Sequence, residues 1–585
     1  MELIQGTHKE PKFAPEDYIS NMPDNVITHI LNRLPIQEAV RTGTLSRNWR
    51  FKWNMLSQLV FDDDFFEYLS TRESDENHGR IIRRLLLHFE GAITKFVLYL
   101  EMECYDIAPV ILFLSRKGVK DLTIIQKIGQ ALELPNQFFS FSELKHLNLH
   151  HCCFNLPASF HGFPNLLSLE LYFVKFESGK FSQLFTQCPV LENLNIRFTV
   201  HAHVKLAEIA KLTNLKVLTL FMRNIDDSVL TSSSIISELV GFLPKLQELE
   251  LDFRVCKSFT EDGARKRSPT TFPCLKTLKL SEIDLGNGIM LSFAFELIKC
   301  FPNLQSLEIT ARDWSCNEDG ARKRSPTTFP CLKTLKLSNL SIYLCGGMMS
   351  SFAPIIIRSS SSLQTLEILA DDWPFIEDGA TFPCLNTLKI SDMDLGNVDR
   401  LSSAFEMIRS SPSLQTLEIT SVHWVVVLPD TTYSRESINV DGTRKRSPTT
   451  FPCLSLRTLK LSHIDLGRNI VLSFAFEIIM NSPNLQTLEI ATRDRGVKCP
   501  PAIVSPELDY NAMRLLQLRS VVFTDLIGSE NEVCLIKYLL ACSPFLKEIR
   551  IHLHKRLASN ENFLFASKLL KLHRASPVAE IVICC

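Results

Sequence analysis

The chain lacks most of what marks an enzyme. None of His-Glu-x-x-His, Gly-x-Ser-x-Gly or a Walker loop occurs in its 585 residues, which excludes those metalloprotease, hydrolase and nucleotide-cleaving designs. Net charge is nearly absent: 63 Lys and Arg against 64 Asp and Glu leave −1 at pH 7, so nothing global favours nucleic acid or an anionic membrane. The 17 cysteines form no paired Cys-x-x-Cys and no evenly spaced framework. That predicts reduced thiols in an intracellular compartment, nucleus or cytoplasm. The opening MELIQGTHKEPKF has no apolar run of the kind a secretory leader needs. The charge-free stretch Leu337 to Ile357 holds Ser, Asn, Gly-Gly and Pro and predicts no membrane helix. Cys584-Cys585 fits an apolar final strand better than a lipidation signal.

What is present is repetition. EDGARKRSPTTFPCLKTLKLS, from Glu261 to Ser281, recurs unchanged from Glu318 to Ser338, and looser copies begin at Ile376 and Val440. Each unit has two halves, FPCLKTLKLS and FPNLQSLEIT or SPNLQTLEI, and both fit the leucine-rich-repeat strand signature L-x-x-L-x-L. The triplet also stands upstream, opening at Leu144, Leu166, Leu191, Leu215 and Leu246. It continues from Leu275, Leu304, Leu332, Leu363, Leu385, Leu414, Leu456 and Leu485, with weaker forms at Met513/Leu516/Leu518 and Leu546/Ile549/Ile551. Alternating leucines predict short parallel strands that bury their apolar face only by stacking. Segments such as Met290 to Cys300 predict helices on the other side. The fold class expected is an α/β leucine-rich-repeat solenoid with its strands on the concave face, a surface suited to a macromolecular partner. The cysteines of the FPCL copies (Cys274, Cys331, Cys384, Cys453) are expected to be small buried residues.

Residues 17 to 53 read DYISNMPDNVITHILNRLPIQEAVRTGTLSRNWRFKW. Pro23-Asp24 opens a helix with Val26, Ile27, Ile30, Leu31 and Leu34 at helical spacing, and Pro35 ends it. A second short helix carries Ala39 and Val40. A third is expected with Leu45, Trp49 and Trp53 on one face. So small a module buries little apolar surface alone, and it must dock on something. The stretch resembles a plant-type F-box, with Met22 in place of the usual Leu and Gly43 in place of the usual Ser. The resemblance implies binding of a Skp-type adaptor, and through it a cullin, by Pro23, Ile30, Leu31, Leu34, Pro35, Val40, Leu45 and Trp49.

At the far end Val533, Ile536, Lys537, Leu539 and Leu540 predict a helix, LKEIRIHL a strand, the segment up to Arg574 another helix, and Ala579 to Cys584 a closing strand. This end is similar to the FBD region, whose R-x-S-P-x-A-E-I ending is matched by Arg574 to Ile581. F-box, repeats and FBD in this order resemble the plant F-box/FBD/leucine-rich-repeat family over nearly the whole chain. The divisions expected are a tail over 1–14, the F-box over 15–60, degenerate first repeats over 61–140, irregular repeats over 141–260, near-identical repeats over 261–498, and a last repeat with the FBD over 499–585. The resemblance implies the non-catalytic substrate receptor of a Skp–cullin–F-box ubiquitin ligase. The alternatives are a scaffold without ligase function and a small-molecule receptor on the same solenoid.

Other motifs give less. Adjacent ligands on a strand point to opposite faces, so His150-His151-Cys152-Cys153 is read as structural, with Cys152 in the buried N/C slot of the repeat, and no metal or cofactor is expected. RKRSP, at Arg265, Arg322 and Arg444, reads as a solvated loop copied with its repeat. Between the second and third leucines the sequence runs Glu250, Lys279, Glu308, Lys336, Glu367, Lys389, Glu418, Lys460, Glu489. This is expected to be a self-neutralising ladder. Partner specificity is then expected in 141–260 or beyond 490, with Trp314, Trp373 and His423-Trp424 as lesser candidates.

Overall fold

The computed structural model describes residues 22–71, 78–100, 106–176, 181–198, 205–221, 239–254, 271–284, 288–312, 328–338, 356–369, 381–395, 398–421, 453–493, 515–554 and 559–584. The chain divides into two compact units, residues 1–230 with 238–246 and residues 231–237 with 247–585.

The first unit opens with helices Asp24–Leu31 and Ile36–Arg41. Prolines 23 and 35 stand at their N-caps, where the chain must leave the helical region. Ile27, Leu31, Ile36, Ala39, Trp49 and Trp53 form the core of this module. The expected third α-helix is absent; short 3₁₀ turns at Thr42–Thr44 and Lys52–Met55 take its place. Gly43 permits this fold-back. A Cβ there would lie 3.4 Å from Arg50 Cα, whereas seven helical residues advance about 10 Å. The chain folds back where glycine leaves room. Trp53 then packs edge-on against Phe89 at 5.6 Å, and Ser57 donates its N–H to Asn32 Oδ1 at 3.1 Å.

Parallel strands follow at Gln58–Phe61, Lys95–Leu100, Asp121–Gln126, His146–His150, Ser168–Tyr172, Asn193–Arg197 and Val217–Phe221, each paired with the next. Their inward pairs, from Leu59/Phe61 to Leu218/Leu220, are at most 2% exposed. Each such side chain contributes roughly 1.5–3 kcal/mol on burial. The first three strands carry the repeat signature as Leu56/Leu59/Phe61, Ile93/Phe96/Leu98 and Val119/Leu122/Ile124. A search for leucine passes over them. Cys152 is fully buried in a short strand, Cys152–Phe154, of a separate three-stranded sheet.

The second unit stacks parallel strands from Glu248–Asp252 to Glu580–Cys584. Helices Gly288–Lys299, Val398–Arg409, Asn469–Met480, Glu530–Cys542 and Ser559–Leu570 lie between them in the chain. The pairing shifts by a residue at Leu280/Ile283, Ile390/Met393, Leu461/Ile464 and Phe523/Leu526. At each shift one residue is left-handed: Glu282, Asp392, His463 and Asp525. These are β-bulges, and each turns the following apolar side chain into the core, at 3% exposure or less.

Two expectations fail here. The triplet placed at Met513/Leu516/Leu518 is really Leu518/Val521/Phe523: Val521 and Phe523 pair with Leu488 and Ile490, while Leu516 is 46% exposed. Valine and phenylalanine fill leucine's slots, as in the first strands. Cys274 and Cys384 are exposed, not buried. The core begins one residue later, at Leu275 and Leu385, and the cysteine lies on the turn before it.

Helix Glu530–Cys542 starts with a capping box. Ser529 Oγ accepts from Glu532 N, and Glu532 Oε2 accepts from Ser529 N at 2.8 Å. Burial pushes the Glu532 carboxyl above its ordinary range, against the pull of its backbone hydrogen bonds. The native state therefore holds this proton more tightly than the unfolded chain. The resulting stability is full below the ordinary glutamate pKa and is lost as pH rises through the raised value. Glu532→Gln, which keeps an acceptor for Ser529, should flatten that dependence. Glu532→Ala removes the titrating group as well, so its cost of about 1–2 kcal/mol should be largest at low pH and shrink as pH rises. Melting curves of both variants from pH 4 to pH 8 check this.

Candidate functional site

The N-terminal module has a filled core and an apolar exterior. Val26 (40%), Ile30 (38%), Leu34 (37%), Leu45 (60%), Phe51 (62%) and Met55 (44%) are large hydrophobic side chains left exposed. Of the residues singled out from sequence, Pro23, Ile30, Leu34, Pro35 and Leu45 are exposed and Val40 is half-buried. Leu31 and Trp49 are core residues at 0% and 4% exposure. The helix decides this split. Val26 and Ile30 are four apart on its outer stripe, while Ile27 and Leu31 sit one position round, facing inward. Phe51 and Met55 were missed; they flank Trp53 in a turn whose geometry no helical period reveals. Lys52 Nζ reaches Asp24 Oδ1 at 2.6 Å and ties that turn to the first helix.

The charged ladder of the second unit is in register at every step, from Glu250 opposite Lys279 to Lys460 opposite Glu489. Lys279 lies 3.3 Å from Glu308, and Lys336 lies 3.7 Å from both Glu308 and Glu367. Lys389–Glu418 and Lys460–Glu489 close to 2.9 Å. The Glu489 hydrogen bond holds Lys460 above the ordinary lysine range. Every ladder residue from Lys279 to Lys460 is thus flanked by opposite charge. Lys336→Glu would set three acids in a row on neighbouring strands and should cost about 1 kcal/mol, less at high salt. Thermal unfolding at low and high ionic strength measures it.

The same strand positions in the first unit are different. Thr123, Asn148, Glu170, Asn195 and Thr219 stand in register, and the single carboxylate accepts from the Asn148 amide at 3.2 Å. At the strand ends His150 stacks on Tyr172 at 4.6 Å and Phe173 stacks on Phe198 at 4.8 Å. Tyr172 meets both phenylalanines edge-on, so the rings form one cluster, in which Phe173 remains 40% exposed. Burial holds His150 below the usual histidine range.

At the end of the second unit the motif residues serve the fold. Ser576 Oγ donates to Leu546 O at 2.7 Å and Arg574 Nη1 to Ala579 O at 3.0 Å, which seats the closing strand. Among the described residues no group of three or more His, Cys, Asp or Glu is placed to hold a metal, and no helix is long and apolar enough to cross a membrane. The RKRSP copies, Trp314, Trp373 and His423-Trp424 lie outside the described residues.

Comparison with known proteins agrees with this anatomy. The F-box domain model matches residues 19–60, and a model of the leucine-rich repeats of FBD-associated F-box protein At5g56370 matches residues 108–240. The Arabidopsis thaliana F-box/FBD/LRR-repeat protein At1g13570 is 29% identical over 56% of this chain and 85% of its own length. Another from that plant, At1g80470, is 27% identical over 36% of this chain and 45% of its own length. Among solved structures, the TLR13–ssRNA13 complex covers 86% of this chain and 69% of its own, at 15% identity and a TM-score of 0.35. The chain carries an F-box followed by FBD-associated leucine-rich repeats, and its relatives are the plant F-box/FBD/LRR-repeat proteins.

Proposed function

We propose that this protein is the substrate receptor of a Skp–cullin–F-box ubiquitin ligase, working in the nucleus or cytoplasm. The observation that carries the reading is the exposed apolar set on the F-box. Six large hydrophobic side chains stand in water on a module whose own core is complete, and such a set marks a binding site. A Skp-type adaptor would cover it, burying Ile30, Leu34, Pro35 and Leu45 directly, with Val26, Phe51 and Met55 extending the contact. Leu31 and Trp49 would support that face from within. The repeats would hold a protein substrate. Catalysis is not asked of this chain: fixing a substrate near a charged ubiquitin carrier raises its effective concentration there. The test is co-purification of a Skp-type adaptor and cullin with the full chain, set against variants altered only at the exposed side chains. A well-folded full chain that captures no adaptor would leave a repeat scaffold without ligase function.

A further inference from the structure

We infer that the ring cluster at the ends of strands His146–His150, Ser168–Tyr172 and Asn193–Arg197 is where the repeats grip the substrate, and that it takes an extended, charge-poor segment anchored by aromatic or aliphatic side chains. This rests on the receptor reading above and gives it a place and a substrate chemistry.

The first observation is backbone strain under two aromatic rings. Phe173 and Phe198 have φ of +52° and +51°. The left-handed region tolerates Asn, Asp and His but is an outlier for a bulky side chain. Phe198 has a packing role, tilted on the buried Phe221 at 4.2 Å, whereas Phe173 stands 40% exposed. Where the second unit's strands end, the left-handed position is held by Glu282, Asp392, His463 and Asp525, with φ of 56° to 62°. Two phenylalanines that strain the backbone where an acid would sit comfortably mark a functional position.

The second observation is the distribution of charge. On the second unit every ladder residue from Lys279 to Lys460 faces an opposite charge on its neighbouring strands. Beside the rings the equivalent row has hydroxyls and amides, and its one carboxylate is already bonded to Asn148. Arg197, opposite Tyr172, already donates its Nε to Asn195 Oδ1 at 3.2 Å, so a charged segment laid there would lose water and gain little in return. Apolar anchors against Tyr172, Phe173 and Phe198 would gain contact area, and rings at the centre of a patch are the usual energetic hot spots.

The experiment selects random displayed peptides on the full chain bound to its adaptor. The comparison variant is Phe173→Asp with Phe198→Asp, which installs the residue type that the second unit carries at 392 and 525. We expect selected peptides rich in aromatic and aliphatic residues and without charge runs. The variant should bind them about tenfold more weakly or worse while keeping adaptor binding. Its melting temperature should stay within a few degrees of the parent's, because the relief of left-handed strain by Asp offsets the lost packing of Phe198 on Phe221. Lys336→Glu should bind the peptides as the parent does. Selection of acidic or basic peptides, peptides indifferent to the Asp pair, or no selectable peptide would each overturn the inference. Loss of adaptor binding in the parent chain, with peptide binding intact, would overturn the receptor reading and leave the ring site standing.

Discussion

Leu34→Asp with Leu45→Asp is expected to weaken adaptor binding at least about a hundredfold while leaving the chain folded. Both side chains are well exposed, at 37% and 60%, so an aspartate at either position keeps its water in the free protein. In the complex that water is lost, and a carboxylate in an apolar interface costs several kcal/mol. Added to the lost contacts, two such carboxylates exceed the roughly 2.7 kcal/mol that a hundredfold represents. Trp49→Ala separates surface from core. Trp49 is 4% exposed, so its loss should melt the module and abolish binding by unfolding, at about 3–5 kcal/mol. Adaptor affinity and the melting curve, measured together, give different signatures: the Asp pair loses affinity at constant stability, and Trp49→Ala loses both. Full adaptor binding by the Asp pair would place the contact elsewhere on the module.

Gly162→Ala is expected to destabilise the first unit by about 3 kcal/mol or more. Gly162 has φ +97°, outside the range of L side chains, and a Cβ there would lie 2.2 Å from the Gln187 carbonyl oxygen. Either problem alone costs about 1–3 kcal/mol, and the overlap is with backbone, which no rotamer change relieves. The site lies between Phe160 and Phe163, whose rings pack 5.1 Å apart in the core, so a shift of the chain would disturb that contact too. Gly91→Ala is the control. Its nearest neighbour would be Met55 at 3.9 Å, ordinary contact distance, and the change should stay within about 0.5 kcal/mol. Hydrogen exchange across residues 138–198 locates the effect. Protection equal to that of the parent in Gly162→Ala would show that the chain relaxes around the new methyl group.

The repeat architecture was legible in the sequence wherever leucine filled the inward slots. The triplets from Leu144 to Leu485 became in-register parallel strands because a strand with one apolar face has no way to bury it except against its own kind. The ladder was legible for the same reason. Once the leucines fix the pairing, the residue between them must face its counterpart on the next strand, and Lys336 duly meets Glu308 and Glu367. Elsewhere the outcome depended on contacts that no local pattern encodes. Val521 and Phe523 do leucine's work because the slot selects for bulk and apolarity. Cys274 stands in water because the core starts one residue further on. Gly43 let the backbone of Arg50 come close enough to replace a helix with turns, and those turns expose Phe51 and Met55. The helical stripe of the F-box named its apolar residues correctly but not their sides: Leu31 went inside and Ile30 outside because the rest of the module packs on one face only. The ring cluster is the clearest case. Nothing in the local sequence joins His150, the Tyr172-Phe173 pair and Phe198. They meet because parallel strands bring residues far apart in the chain to within one strand spacing, and because the chain turns left-handed at Phe173 and Phe198, just past the strand ends.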